Sequence, residues 1–379
     1  DKDSVEIKDL AVGMDSFDSP INLSFDTVVS GVQITGDGTT SSFKSIQDSE
    51  YNDVSAKLQI NVLGYTLNYD GGVKGLTKGL TSEGLYEIKY KSNKINGNIL
   101  ADLTGKTPYL KLNAASDNLN VYEFTETKKA DINWLISEAQ ANDLIKNTPI
   151  PYDVLKSVNA DVSIDLKTVN ITPDMTLTNI LTDLALKNGV FKADIKNING
   201  GDGVIKGVAT LDANTKNMNV NLTGNGIVLQ KLNKNFADSG NDVLYVKSGG
   251  KSDFSIKLNT FGIDTDQYLA NMNGQVVAII DSSVMNVKSL ERLQGNIIVQ
   301  ILNNLQLNIM NKDMKLNCAV VRSDIKKGVA EFPKGIAFDA NDFYVVADGS
   351  VNLYNEKIDL DLQPFSGRIT DTNVSSVLG

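Results

Sequence analysis

The stretch "LNCAVVRSDIKKGVAEF" (316–332) holds the only cysteine of the chain and one of its three arginines, beside an aspartate and two lysines. A reactive thiol needs a base, a cation, a metal or a helix N-terminus beside it to lower its pKa. No base, metal cluster or helix N-terminus is visible in the sequence beside Cys318. Alternation instead sets Cys318 with Leu316 and Val320 on an apolar strand face, where a lone cysteine behaves as a small hydrophobe. The expectation is a reduced, poorly accessible thiol. Two other stretches invite a chemical reading. "TGKTP" (104–108) contains the Gly-Lys-Thr of a phosphate loop, but the upstream glycine would fall on Leu100, and Pro108 opens a strand where that loop requires a helix. "GGDGV" (200–204) and the glycine-spaced stretch 71–84 lack the acidic spacing of a calcium loop and the strand–helix flanks of a nucleotide site, and read as turns. Asp359 and Asp361 share one side of a strand, and a solvated polar face accounts for them.

The 379-residue chain has no histidine. That removes imidazole-based triads, most zinc sites and the usual proton shuttle near neutral pH. No set of acid, base, nucleophile or metal ligands can be assembled, so the expectation is a non-enzyme with no catalytic residues, no metal and no cofactor. The formal net charge is −10, and the only arginines are Arg292, Arg322 and Arg368. A phosphate-binding basic patch is missing, which argues against nucleic acid as a partner. One cysteine cannot form an intramolecular disulfide. No apolar run approaches the roughly 20 residues that span a bilayer.

The elements that would position any site are strands. Leu58, Ile60 and Val62 alternate with polar residues, as do Tyr86, Ile88 and Tyr90; Val162, Ile164 and Leu166; Leu184 and Leu186; Met218, Val220 and Leu222; Ile256 and Leu258; and Ile358, Leu360 and Leu362. Period-two alternation marks antiparallel strands with one apolar and one polar face. Asn-Gly at 96–97, 188–189 and 273–274 reads as hairpin turns. Lys326 to Gly328 reads as a turn between a strand at 316–323 and its return from Val329. The units repeat: "LALKNGVFKADI" (184–195) and "SDIKKGVAEF" (323–332) share a Lys-x-Gly-Val turn. A second hairpin follows each, "GVATLDANTKNMNVNL" (207–222) and "GSVNLYNEKIDLDL" (349–362), and "GNILADLTGKTPYLKL" (97–112) aligns with the first of these. Helical spacing is confined to about 289–305, 265–272 and, as helix or linker, 131–146. Pro149 and Pro151 mark the expected boundary between a mostly-β region at 1–147 and a second region at 148–379.

A long meander with one apolar face must hide that face by closing on itself, by packing on a second sheet, or by holding something apolar. The face recurs over nearly the whole chain with few aromatics to fill an interior. Its candidate lining residues are Val162, Ile164, Leu166, Leu184, Leu186, Met218, Val220, Leu222, Ile256, Leu258, Leu316, Cys318, Val320, Leu360 and Leu362.

"TPIPYDVLKSVNADVSIDLKTVNI" (148–171) and "TLTNILTDLALKNGVFKADI" (176–195) resemble the start of the AsmA-like region of bacterial envelope proteins. "DTDQYLANMNGQVVAIID" (264–281), "LNCAVVRSDIKKGVAEF" (316–332) and "FYVVADGSVNLYNEKIDLDLQP" (343–364) are similar to its later parts, in order and spacing. The resemblance implies an elongated, curved antiparallel β-meander, taco-like, with an apolar inner groove and a few short helices. It also implies a periplasmic body in a Gram-negative bacterium, held to the inner membrane by an N-terminal helix absent from this chain, so that the chain reads as a fragment of a longer one. The implied function is non-enzymatic. Phospholipid acyl chains would be shielded in the groove in support of lipid transport between the inner and outer membranes and of outer-membrane assembly. Phospholipids are the expected partners, with envelope membrane proteins at either end. The rival reading is a structural or assembly β-protein with a fully packed core that binds partner proteins through strand edges.

Overall fold

The computed structural model describes residues 5–50, 52–75, 79–125, 148–172, 175–232, 245–286, 313–341 and 343–366. The helical spacings expected at 131–146 and 289–305 lie outside the described residues. Within them the protein is mostly β. Twenty-two strands belong to one open sheet, accompanied by five short helices. The chain divides into two compact units that interleave along the sequence. One comprises Asp1–Glu138, Tyr152–Asn170 and Asn179–Phe191, and the other holds the remainder.

The first unit opens with β1 (Val5–Gly13), β2 (Pro20–Val29) and β3 (Val32–Ser42), followed by α1 (Phe43–Asp48). It continues through β4 (Asp53–Val62), β5 (Tyr65–Lys74), β6 (Thr81–Tyr90), β7 (Asn93–Asp102) and β8 (Tyr109–Ser116). Each of these strands pairs antiparallel with the next, a meander of hairpins. Then the pattern breaks. After β9 (Leu119–Asn120), α2 (Tyr122–Thr125) and α3 (Tyr152–Ser157), strand β10 (Asn159–Thr172) lies parallel to both β8 and β9. Alternation cannot announce this reversal, because a strand shows the same period of two in either direction. β11 (Met175–Lys187) follows, and Asn188 and Gly189 form the turn out of it with φ of +52° and +80°.

The second unit takes in most of β12 (Val190–Gly200), then β13 (Gly203–Asp212), β14 (Asn217–Val228), α4 (Leu229–Leu232), β15 (Tyr245–Gly249) and β16 (Lys251–Phe261). It goes on to α5 (Thr265–Ala270), β17 (Asn273–Ile280), β18 (Ser283–Asn286), β19 (Met314–Lys326), β20 (Val329–Ala340), β21 (Phe343–Asn352) and β22 (Ile358–Ser366). Antiparallel pairing runs β13, β14, β16, β17, β19, β20, β21, β22, with β15 and β18 paired to each other and β18 also to β19.

The repeat in the sequence is visible in the turns. Asp102 accepts hydrogen bonds from the Thr104 backbone N–H and hydroxyl at 2.9 and 2.6 Å. Asp212, its counterpart in the alignment, accepts from the Asn214 N–H at 2.8 Å. An aspartate closing its own turn two residues on is the physical content of the repeat. "TGKTP" is therefore the β7–β8 connection, and Lys327 and Gly328 turn β19 into β20 with φ of +49° and +73°. α5 starts at Asp264, whose carboxylate accepts from the Gln267 N–H at 2.7 Å, and ends at Asn271 just before β17.

Two of the Asn-Gly pairs read as turns do not turn the chain. Asn96 and Gly97 lie inside β7, and Asn273 and Gly274 open β17. Their glycines serve close approach instead: a Cβ at Gly97 would overlap the Asn113 carbonyl, and one at Gly274 the Lys257 carbonyl. Gly is the residue for such contacts as well as for turns.

Candidate functional site

Directly opposed residues of a ladder point to the same side of the sheet, so the registers assign every side chain to a face. In the second unit one row runs Ile205, Gly224, Phe254, Ala278, Val321, Ile336, Ala347, Leu362 across eight strands. A neighbouring row runs Ala209, Val220, Leu258, Gly274, Ile325, Ala330, Val351, Ile358. The opposite face carries Asn219, Asn221, Lys257, Asp348, Asp359 and Asp361. In the first unit Leu10, Phe25, Gly36, Ile60, Leu67, Ile88 and Ile95 make one row from β1 to β7. Further along the same face Ile99 opposes Leu112, and Leu112 opposes Val162.

The sequence-derived lining residues fall as follows. Val162, Ile164 and Leu166 share the apolar face of β10 with Leu112, Ala114 and Ser116 of β8. Asp183 accepts from the Ser163 hydroxyl at 2.9 Å and Lys187 reaches Asp161 at 3.3 Å, both on the polar side; Leu184 and Leu186 therefore turn to the apolar side. Met218, Val220, Leu222, Ile256, Leu258, Leu360 and Leu362 all belong to the apolar face of the second unit. Leu316 joins them opposite Ala340, each about 1% exposed.

Cys318 and Val320 do not. A β-bulge between Leu316 and Cys318 inserts one extra residue, so that Leu316 opposes Ala340 while Cys318 opposes Asp339, the very next residue. One inserted residue flips all that follow to the other face. Cys318 and Val320 accordingly share the face of Asp339, Ile279 and Tyr344, and the apolar face is continued by Ala319 and Val321. The thiol is half-buried rather than buried. Burial first, then the charges of Asp339 and Asp281, push its pKa up, which keeps it protonated and unreactive.

Two properties define the apolar face. First, much of it is half-covered, although Ile325, Ala330 and Ala347 toward β19–β21 are buried. Leu58, Ile60, Leu67, Ile88, Ile95, Val162, Ile164, Val220, Leu222, Ile256 and Leu258 are all intermediate in exposure, where a dry core would bury them. Second, large side chains are repeatedly paired with glycine. Phe254 lies over Gly224, Tyr86 over Gly97 and Leu222 over Gly207, where a Cβ would come within 2.7 Å of the leucine Cδ2. A side chain folded across a glycine lies along the sheet instead of standing up from it, which lowers the relief of the face. Composition signalled the glycines, 30 in the chain, but not their pairing with large neighbours, which depends on register.

The remaining candidates are simple. "GGDGV" is the β12–β13 connection, where Asp202 pairs with Lys231 at an open cleft also lined by Thr176, Asn199 and Asn225. Asp359 and Asp361 oppose Ser350 and Asp348 on the exposed polar face. Among the described residues no three of His, Cys, Asp and Glu come together as a metal site would require, and no helix is long and apolar enough to cross a membrane.

A model of the AsmA family matches residues 102–334. No curated protein and no solved structure matches.

Proposed function

Because the chain belongs to the AsmA family, we propose that it is a non-enzymatic protein of the cell envelope that shields phospholipid acyl chains on its apolar β-face. In this reading it supports lipid movement between the inner and outer membranes and outer-membrane assembly, with membrane proteins of the envelope as partners. The observation that carries the reading is the half-covered apolar face, continuous from row to row within each unit and backed by a polar face. Each methylene taken out of water contributes about 0.8 kcal/mol. A tail can therefore be held by side-chain methyls alone, without a dedicated headgroup site. A tail that slides along the rows exchanges one set of contacts for an equivalent set, so movement on the face needs no reaction.

The test is native mass spectrometry of the purified protein together with solvent extraction. Co-purified phospholipid, displaced by detergent, is the expected result. A protein that carries no lipid and takes up no fluorescent phospholipid would favour the rival of a packed assembly protein.

A further inference from the structure

Among the described residues the register of β1 is with β2 alone, and its inward row is uncovered: Val5, Ile7, Leu10 and Val12 are 61–65% exposed. An uncovered edge strand is a template for further pairing unless something blocks it. Here the block is selective. The register of β1 on β2 passes from Ile7 opposite Thr27 to Asp9 opposite Asp26, so Lys8 is an inserted residue. Along β1 the faces therefore read apolar, polar, apolar, polar, polar, apolar, polar, apolar from Val5 to Val12. An unbulged strand laid on the free edge matches one half of that order and opposes the other half with the wrong face.

The order is a palindrome about the point between Lys8 and Asp9. A second β1, antiparallel and related by a two-fold axis at that point, sets Val5 against Val12, Glu6 against Ala11, Ile7 against Leu10 and Lys8 against Asp9, in both directions. The apolar residues of both copies meet on one face, and the two Lys8–Asp9 pairs meet on the other. The charges along β1 and β2 favour the same occupant. Within one chain Asp9 opposes another aspartate, Asp26, whose two carboxylate oxygens accept from the neutral Gln33 amide, at 3.0 Å each. Like charges directly opposed are unfavourable, and a lysine arriving beside them relieves the repulsion. We propose that the free edge of β1 is a self-complementary interface for a second copy of this chain. Four apolar side chains per copy make a contact small beside the roughly 1,200 Å² of stable complexes, so the dimer is reversible and weakened by salt.

The experiment uses the whole chain in a Cys318→Ser background. Sedimentation velocity over a concentration series is expected to show a monomer–dimer equilibrium. Lys8→Asp and Asp9→Lys each weaken it at least tenfold, and the double exchange Lys8→Asp with Asp9→Lys restores it, because the swapped residues oppose each other again. Positions 6, 8, 9 and 11 are all exposed, and circular dichroism checks that each variant folds. A mixture of Glu6→Cys and Ala11→Cys proteins is expected to form a disulfide-linked heterodimer faster than either protein links to itself. A chain that stays monomeric throughout overturns the proposal. So does a dimer indifferent to the charge exchange, or one without the mixed disulfide, since pairing then uses another surface.

Discussion

Val220→Asp separates an open apolar face from a filled core. Val220 stands between Ala209 and Leu258 in its row and is half-buried. In a dry core the buried carboxylate would cost several kcal/mol and unfold a marginal domain. At this site the new carboxylate reaches water. The loss is then about half of a valine's burial, near 1 kcal/mol, plus up to about 1 kcal/mol of strand preference. A cost of about 1–2 kcal/mol lowers the melting temperature by only about 3–6 °C in a domain of this size. If the face holds lipid as proposed, binding loses far more, because a tail laid over the carboxylate strips its water. A penalty of about 2–3 kcal/mol there reduces occupancy by about 30- to 150-fold. The assay measures two quantities on one preparation, thermal unfolding by circular dichroism and co-purified phospholipid by mass spectrometry. Asn221→Asp is the control. It lies on the polar face opposite Lys257 and should alter neither quantity. A Val220→Asp protein that cannot fold would refute the open-face argument, and a folded one with undiminished lipid would move the lipid path elsewhere.

Three further outcomes follow from local geometry. Gly97→Ala should destabilise the protein by about 2–3 kcal/mol in denaturant titration, since its Cβ meets the Asn113 carbonyl, whereas Gly105→Ala, with nothing nearer than 3.5 Å, should be close to neutral. Cys318 should label without unfolding, but only at higher pH than in the denatured chain, because its folded pKa is raised; Asp339→Asn removes one of the charges responsible and should bring the labelling onset down. Glu87, held at about 2 by hydrogen bonds from Lys89 and Lys94 and by their charges, contributes stability that is whole above the ordinary glutamate pKa and is lost as pH falls toward 2. The lysines are largely in solvent, so the contribution is about 0.5–1 kcal/mol, and Glu87→Gln should flatten that part of the acid limb in stability measured against pH.

The face of each strand was legible wherever alternation ran unbroken. Val220, Leu222, Ile256 and Leu258 needed nothing beyond a period of two, and their registers agree with it. Reading failed where one residue was added. At Leu316 and Cys318 the letters alternate apolar and polar across the bulge, and nothing in "LNCAV" marks which residue is extra, since the insertion is set by pairing with β20. Asn96-Gly97 failed for a related reason. The dipeptide carries the same permissive backbone whether it turns a chain or lets two strands approach, and the Asn113 carbonyl that decides the matter belongs to another strand. The same limit hid the parallel partner of β10.

That parallel step bears on the order of assembly. A hairpin such as β4–β5 closes through Leu63 and Gly64 alone, and can form as soon as both strands exist. Asn159 instead pairs with Tyr109, 50 positions earlier. Closing a loop of that length costs about 2–3 kcal/mol more chain entropy than closing a two-residue turn, and non-local pairing slows folding. A chain emerging from its N-terminus can zip β1 through β8 hairpin by hairpin, but must then wait for β10 to be delivered back to the same edge. Until it arrives, β8 is an open edge with an apolar face. The interval between the synthesis of Ser116 and that of Asn159 is therefore a stage of biogenesis at which this edge is exposed to mispairing.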